Sequence, residues 1–171
     1  SYAQLYRPVR LDCLPRAGEN EYVALARRLM EMERDRTIYM MKPDMGIVDV
    51  PVEIVMDALA GGGADAFLDS RALEELRKIH GARHWNVIHK RQATHMILSE
   101  RAMRRFISTG VMSDHYFAMR PFSPPERVEI LRACLELEQG NPSHHIYFAK
   151  DDNLFKGMAF TGFGEIGLHI Q

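Results

Sequence analysis

Residues 94–110, THMILSERAMRRFISTG, decide how this chain is read. THMIL (94–98) is short, β-prone and apolar, and it passes without a linker into ERAMRRFIS. Ser99 stands at the junction, where a side-chain oxygen satisfies the first orphan N–H groups of a helix, and Gly110 supplies the stop. A strand that feeds directly into a capped helix is half of a βαβ unit. The same arrangement should therefore recur on either side.

Downstream it does recur. SPPE (123–126) offers a reciprocal cap: Ser123 accepts from the amide of Glu126, the Glu126 carboxylate reaches back, and Pro124 suits the first helical position. That helix is expected to run through Val128, Leu131, Leu135 and Glu138 and to end at Gly140-Asn141-Pro142. HIYFA (145–149) reads as the next strand. In HHIYFAKDDN (144–153), His145, Tyr147 and Ala149 fall on one face and Ile146, Phe148 and Lys150 on the other. Both faces are largely apolar, the pattern of a central strand covered on both sides and ending in a polar turn. The glycine-spaced tail MAFTGFGEIGLHI reads as a terminal antiparallel hairpin.

Upstream, Asn20 can cap a helix through Tyr22, Leu25, Ala26 and Leu29. A charged run from Glu31 to Arg36 then lies on its solvated side. TIYMM (37–41) is a strand, stopped by Lys42-Pro43-Asp44. Asp49 and Pro51 open a second helix that runs through Ile54, Val55 and Leu59 into Gly61-Gly62-Gly63. ADAFL (64–68) reads as a strand, Ser70 as an N-cap, ALEELRKI as a helix closed by Gly81, and WNVIH (85–89) as a further strand. Strand and helix alternating every 25 to 30 residues specify an α/β fold: a mixed, partly parallel sheet with flanking helices and a C-terminal antiparallel hairpin. Residues 1–18, with Pro8, Pro15 and Gly18, read as a leader or linker, and 19–171 as a single α/β domain.

Composition narrows the functional classes. The chain has 171 residues, 46% hydrophobic and 26% charged, enough for a real core. Its formal net charge of -1 argues against a dedicated nucleic-acid-binding domain. Cys13 and Cys134 are far apart without metal spacing, and no apolar run reaches bilayer length, so a reduced cytoplasmic protein is expected. Charge is uneven, however. Residues 71–105 hold nine Arg and Lys against three Glu, together with His80, His84, His89 and His95.

None of the familiar reaction signatures is satisfied. Gly61-Gly62-Gly63 lacks both the Gly-Lys-Ser/Thr ending of a P-loop and the spacing of a dinucleotide fingerprint. His80 and His84 have helical metal spacing, but Gly81 is expected to break their shared face, and no carboxylate or thiolate stands between Gly81 and Ser99. Ser113, Asp114 and His115 are adjacent, so neighbouring side chains diverge and no local triad forms. No catalytic residue, metal or cofactor is therefore assigned. Arg101 and Arg105, at i, i+4 on one helix, invite an anionic partner, with Arg104 beside them. Eleven methionines suit an irregular core and equally a remouldable apolar pocket.

ILSERAMRRFISTGVMSDHYFAMRPFSPPERVEILRACLELEQGNPSHHIYFAKDD, roughly residues 97–152, resembles the C-terminal regulatory region found behind an N-terminal helix-turn-helix in some bacterial transcriptional regulators. The resemblance implies a non-catalytic effector-sensing or dimerising domain. Its DNA-binding domain would lie outside this chain, which shows no helix-turn-helix of its own and starts Ser-Tyr-Ala without Met. Ligands of α/β sheets collect near strand C-terminal ends. The expected effector site is therefore lined by His95, Arg101, Arg105, His115 and Tyr147, with Met96 and Met119 as apolar wall. The expected partners are a small, anionic effector and a second copy of the chain, with no membrane. The rival expectation is a small α/β hydrolase or transferase using His89, His95, Asp114 or His115 as acid and base.

Overall fold

The computed structural model describes residues 20–42, 49–63, 68–89, 92–112, 119–150, 160–164 and 167–170. Helix α1 (Glu21–Glu33) precedes strand β1 (Ile38–Lys42). Helices α2 (Val52–Ala60) and α3 (Ser70–His89) lead to β2 (Thr94–Ser99), and α4 (Glu100–Thr109) and α5 (Pro124–Gly140) lead to β3 (His144–Ala149). The hairpin β4 (Phe160–Phe163) and β5 (Gly167–Ile170) follows. The strand order is β3-β2-β1-β4-β5, with β1, β2 and β3 parallel and the hairpin antiparallel. This is the α/β architecture of a mixed sheet with flanking helices. Among the described residues, no helix is long and apolar enough to cross a membrane.

The order explains the layering. Both parallel crossovers step the same way across the sheet, and right-handed crossovers in one direction lay their helices on the same face. Burial alternates accordingly. Ile38, Met40, Thr94, Met96, Leu98 and His144 point into the helix layer and are buried, whereas Tyr39, Ile97 and Tyr147 are exposed. The core between sheet and helices is filled by Val55, Leu59, Leu76, Phe106 and Ile130.

Caps behave as elementary chemistry requires. The Asn20 side chain accepts from the Tyr22 amide, Ser99 accepts from Ala102, and the capping box of Ser123 and Glu126 forms. The Arg120 guanidinium beside Glu126 holds that carboxyl down to about 2. Gly110 closes α4 at φ 75, its N–H donating to Phe106 O.

Four expectations are corrected. WNVIH is the last quarter of α3, which runs through Gly81. Glycine within a helix costs about 1 kcal/mol, and burial of Leu76, Ile79, His80 and Val87 on one helical face outweighs it. Asp69, not Ser70, caps α3, accepting from Ala72 N–H at 2.7 Å. The charged run after α1 is not wholly solvated: Glu33 is buried and grips Arg83 through both carboxylate oxygens. α5 forms as expected, burying Ile130, Cys134 and Leu137 and leaving Val128 and Leu135 exposed. The helix is apolar on two sides, and the sheet takes only one. Finally, β3 is an edge strand and not a central one, with Tyr147 and Phe148 both about half exposed. The leader at 1–18 and residues 64–67 of the ADAFL strand lie outside the described residues, as do Asp151 to Asn153.

Candidate binding surface

Parallel register aligns the second residue of each parallel strand. Tyr39 lies beside His95 and His95 beside His145, forming one row across the open face of the sheet. The Tyr39 and His95 rings stack at 5.3 Å with 11° between their planes, and His95 and His145 are 5.1 Å apart. Tyr147, two residues further along β3, lies nearly parallel to His95 at 6.5 Å and stands 6.1 Å from His145. Tyr39 is 46% exposed and Tyr147 51%. Ile97, paired with Met41 on one side and Tyr147 on the other, extends the surface with apolar area. Four rings packed ring to ring, the two tyrosines about half exposed and the two histidines partly buried, form a row whose outer rings are suited to stacking a planar partner.

Of the expected effector residues, His95 and Tyr147 meet here. Met96 points the other way and is 1% exposed in the core, so it shares no surface with His95. Met119 packs partly buried against the helix-side core. Arg101 and Arg105 are exposed on α4, and neighbouring Arg104 is paired with Glu100 at 2.8 Å. His115, like Asp114, lies outside the described residues. Sequence reasoning missed Tyr39 and His145. A signal was present: in Ile38-Tyr39, Thr94-His95 and His144-His145, each strand has a ring at its second position, and parallel pairing in register brings the three together.

A second cluster lies under the sheet. Asp49 and His144 side chains are fully buried, with Nε2 and Oδ1 3.8 Å apart, too long for a hydrogen bond. Neither side chain has a hydrogen-bond partner among the described atoms. The Cys134 thiol reaches only the Asp49 backbone carbonyl, at 3.8 Å. Burial pushes the Asp49 carboxyl up to about 7 and the His144 imidazole down to about 4, so both are neutral between those values. Burial also raises the Cys134 thiol well above its ordinary range. Acid, base and thiol thus lie close together, but they are buried and the thiol is held protonated, an arrangement unfit for nucleophilic catalysis.

The buried carboxyl has a measurable consequence. Because folding favours its protonated form, the native state holds more protons than the unfolded chain between about pH 4 and 7, and stability contributed by this group falls as pH rises through that window. Asp49→Asn removes the penalty. The variant should exceed the parent in urea-unfolding stability by up to about 4 kcal/mol at pH 8, and the gap should close at pH 4. An equal difference at both pH values would show that Asp49 does not titrate this way.

The remaining histidines are placed separately. α3 puts His80 and His84 four residues apart on one helix, so their shared face survives Gly81 after all. His80 is buried, and desolvation lowers it to about 3. His89 lies against Trp85 at 3.7 Å. Among the described residues, no group of three His, Cys, Asp or Glu is placed to hold a metal ion. A polar cleft of about 250 Å3 opens at the N-terminal ends of β1 and β2, lined by Arg34, Asp35, Arg36 and Asn86 among others. It is smaller than ordinary ligand pockets, and the Arg36 guanidinium is held by the Met32 carbonyl at 2.7 Å.

Comparison of the chain with protein-family models, with curated proteins and with solved structures finds no match.

Proposed function

We propose that this chain is a non-catalytic sensing and association domain of a bacterial transcriptional regulator, and that the open face of its sheet receives the effector. The observation that carries the reading is the row of Tyr39, His95, His145 and Tyr147, half exposed at its tyrosines and packed ring to ring on a face that no described helix covers. Parallel sheets ordinarily have both faces covered, so an open one bearing aligned rings calls for a partner. The best-fitting effector is a small planar aromatic molecule that extends the stack. Arg101 and Arg105 belong to α4, on the helix face of the sheet, and take no part in this surface. The regulator assignment rests on the resemblance over residues 97–152, and it places the DNA-binding domain outside this chain and the protein in the cytoplasm. Signalling then requires the effector to bind two conformations with different affinity.

A thermal-shift panel of planar aromatic metabolites, with and without a carboxylate or phosphate, tests the reading. A ligand at a hundredfold excess over its Kd adds about 2.7 kcal/mol, a shift of several degrees for a domain of this size. Tyr39→Ala combined with His95→Ala should abolish the shift while the variant stays folded. A panel without hits, or a hit indifferent to the double variant, would sink the proposal.

A further inference from the structure

We infer that β3 is the seam of a twofold homodimer, pairing antiparallel with β3 of a second copy so that two five-stranded sheets become one of ten. The inference deepens the association half of the function proposed above and names its partner.

The edge has open ladder positions. β3 is bonded along its inner side to β2 over all six residues, and among the described residues no strand pairs with its outer side. Ser143 O accepts from Thr94 N–H, so by strand alternation residues 145, 147 and 149 bond inward while 144, 146 and 148 direct their backbone groups outward. The His144 N–H is taken by Asn141 O. Ile146 and Phe148 are left with outward N–H and C=O groups that bond to no described residue. Edge strands exposed only to water usually carry a charge, a proline or a bulge as protection. HHIYFA has none, and it exposes Tyr147 on one face and Phe148, at 52%, on the other.

Symmetry then selects the register. A twofold axis perpendicular to the sheet keeps each face on its own side, so opposed residues must share parity. Centring the axis on Tyr147 sets Ile146 opposite Phe148 of the second copy, and the reverse. Four hydrogen bonds form from the open groups alone. Tyr147 then faces Tyr147 of the second copy in the close, non-hydrogen-bonded position, continuing the ring row across the seam.

Charge fits the same geometry. α5 turns through Asn141 to Ser143 directly into β3, so its C-terminal half lies by the start of the strand. That half exposes Glu136 and Glu138 and has no basic residue in its last turn. Carboxylates at a helix C-terminus are poorly placed against the dipole and favour a nearby cation. Antiparallel pairing delivers exposed Lys150 of the second copy to this end, and symmetry makes the contact twice. A seam of one strand per copy is smaller than the interfaces of roughly 1,200 Å2 that hold stable complexes, so the dimer should be weak and reversible.

Sedimentation velocity on the chain from 1 to 200 μM should show reversible dimerisation. Phe148→Pro deletes an outward N–H and spares the ladder to β2. It should keep the parent's circular dichroism and weaken association at least tenfold. In a Cys13→Ser background, Tyr147→Cys should crosslink under mild oxidation, since opposed non-hydrogen-bonded Cα atoms about 4.5 Å apart are within disulfide reach. His145→Cys, on the same face but away from the axis, should not. A chain monomeric at 200 μM, a dimer indifferent to Phe148→Pro, or equal crosslinking at 145 and 147 overturns the inference. Phe148 lies on the helix side, so effector binding by the Phe148→Pro monomer can be scored separately, and failure of either claim leaves the other standing.

Discussion

Replacing Gly110 with alanine is expected to destabilise the protein by about 4 kcal/mol, the largest loss anticipated from any single methyl group in the fold. Gly110 ends α4 at φ 75, a left-handed conformation that costs other residues about 1–2 kcal/mol. The rest of the loss is steric. A Cβ built on Gly110 would lie 2.0 Å from the carbonyl oxygen of Phe122, whose own N–H donates to Gly110 O at 2.9 Å. The segment before α5 must therefore move, and it carries Phe122 into an edge-on contact with Phe106, both rings buried. Urea unfolding should show a lower midpoint with an unchanged slope. Gly81→Ala is the control: a Cβ there meets nothing within 4 Å, and the mid-helix position should gain up to about 1 kcal/mol. Similar losses at both positions would contradict the close approach at Gly110.

Breaking the Glu33–Arg83 pair should cost nearly as much. The Arg83 Nε donates to Glu33 Oε2 at 2.7 Å, a second N–H binds Oε1, and the side chains are 13% and 6% exposed. The pair sits in a polar seam. Gln92 donates to the backbone carbonyls of Glu33 and Arg36, and Asn141 donates to the carbonyls of Val87 and Gln92. The seam ties the end of α1 and the end of α3 to the segments that enter β2 and β3. Arg83→Met leaves a buried carboxylate without its counter-charge and should cost about 3–5 kcal/mol. Arg83→Met with Glu33→Leu removes both charges and should recover most of that loss. A double variant as unstable as the sum of the singles would show that the two residues act independently.

Locally determined features are legible in the sequence. β2 and α4 follow from Ser99 and Gly110, α5 from SPPE, and the hairpin from its glycines, because caps and turns are written within a few residues. Features settled between distant segments were not legible. Gly81 looked like a stop, yet the packing of Leu76, Ile79 and Val87, with Arg83 held by Glu33 fifty residues away, carries α3 through it. α5 offers two apolar sides, and only the sheet decides between them. HIYFA has the apolar pattern of a covered strand but lies at an edge, because strand order is a property of topology and not of periodicity. The same limit divided the candidate surface. His95 and Tyr147 stood out as polar groups on apolar strands, whereas Tyr39 and His145 join them only through parallel register.

The open sheet face is the proposed effector surface. The most direct measurement is an NMR titration of the imidazole ring protons with a planar aromatic compound that raises the melting temperature. The His95 and His145 signals should shift together and saturate at the same ligand concentration as the thermal stabilisation, while those of buried His80 and His144 stay in place. Shifts at His80 or His144 with silence at His95 and His145 would contradict the account.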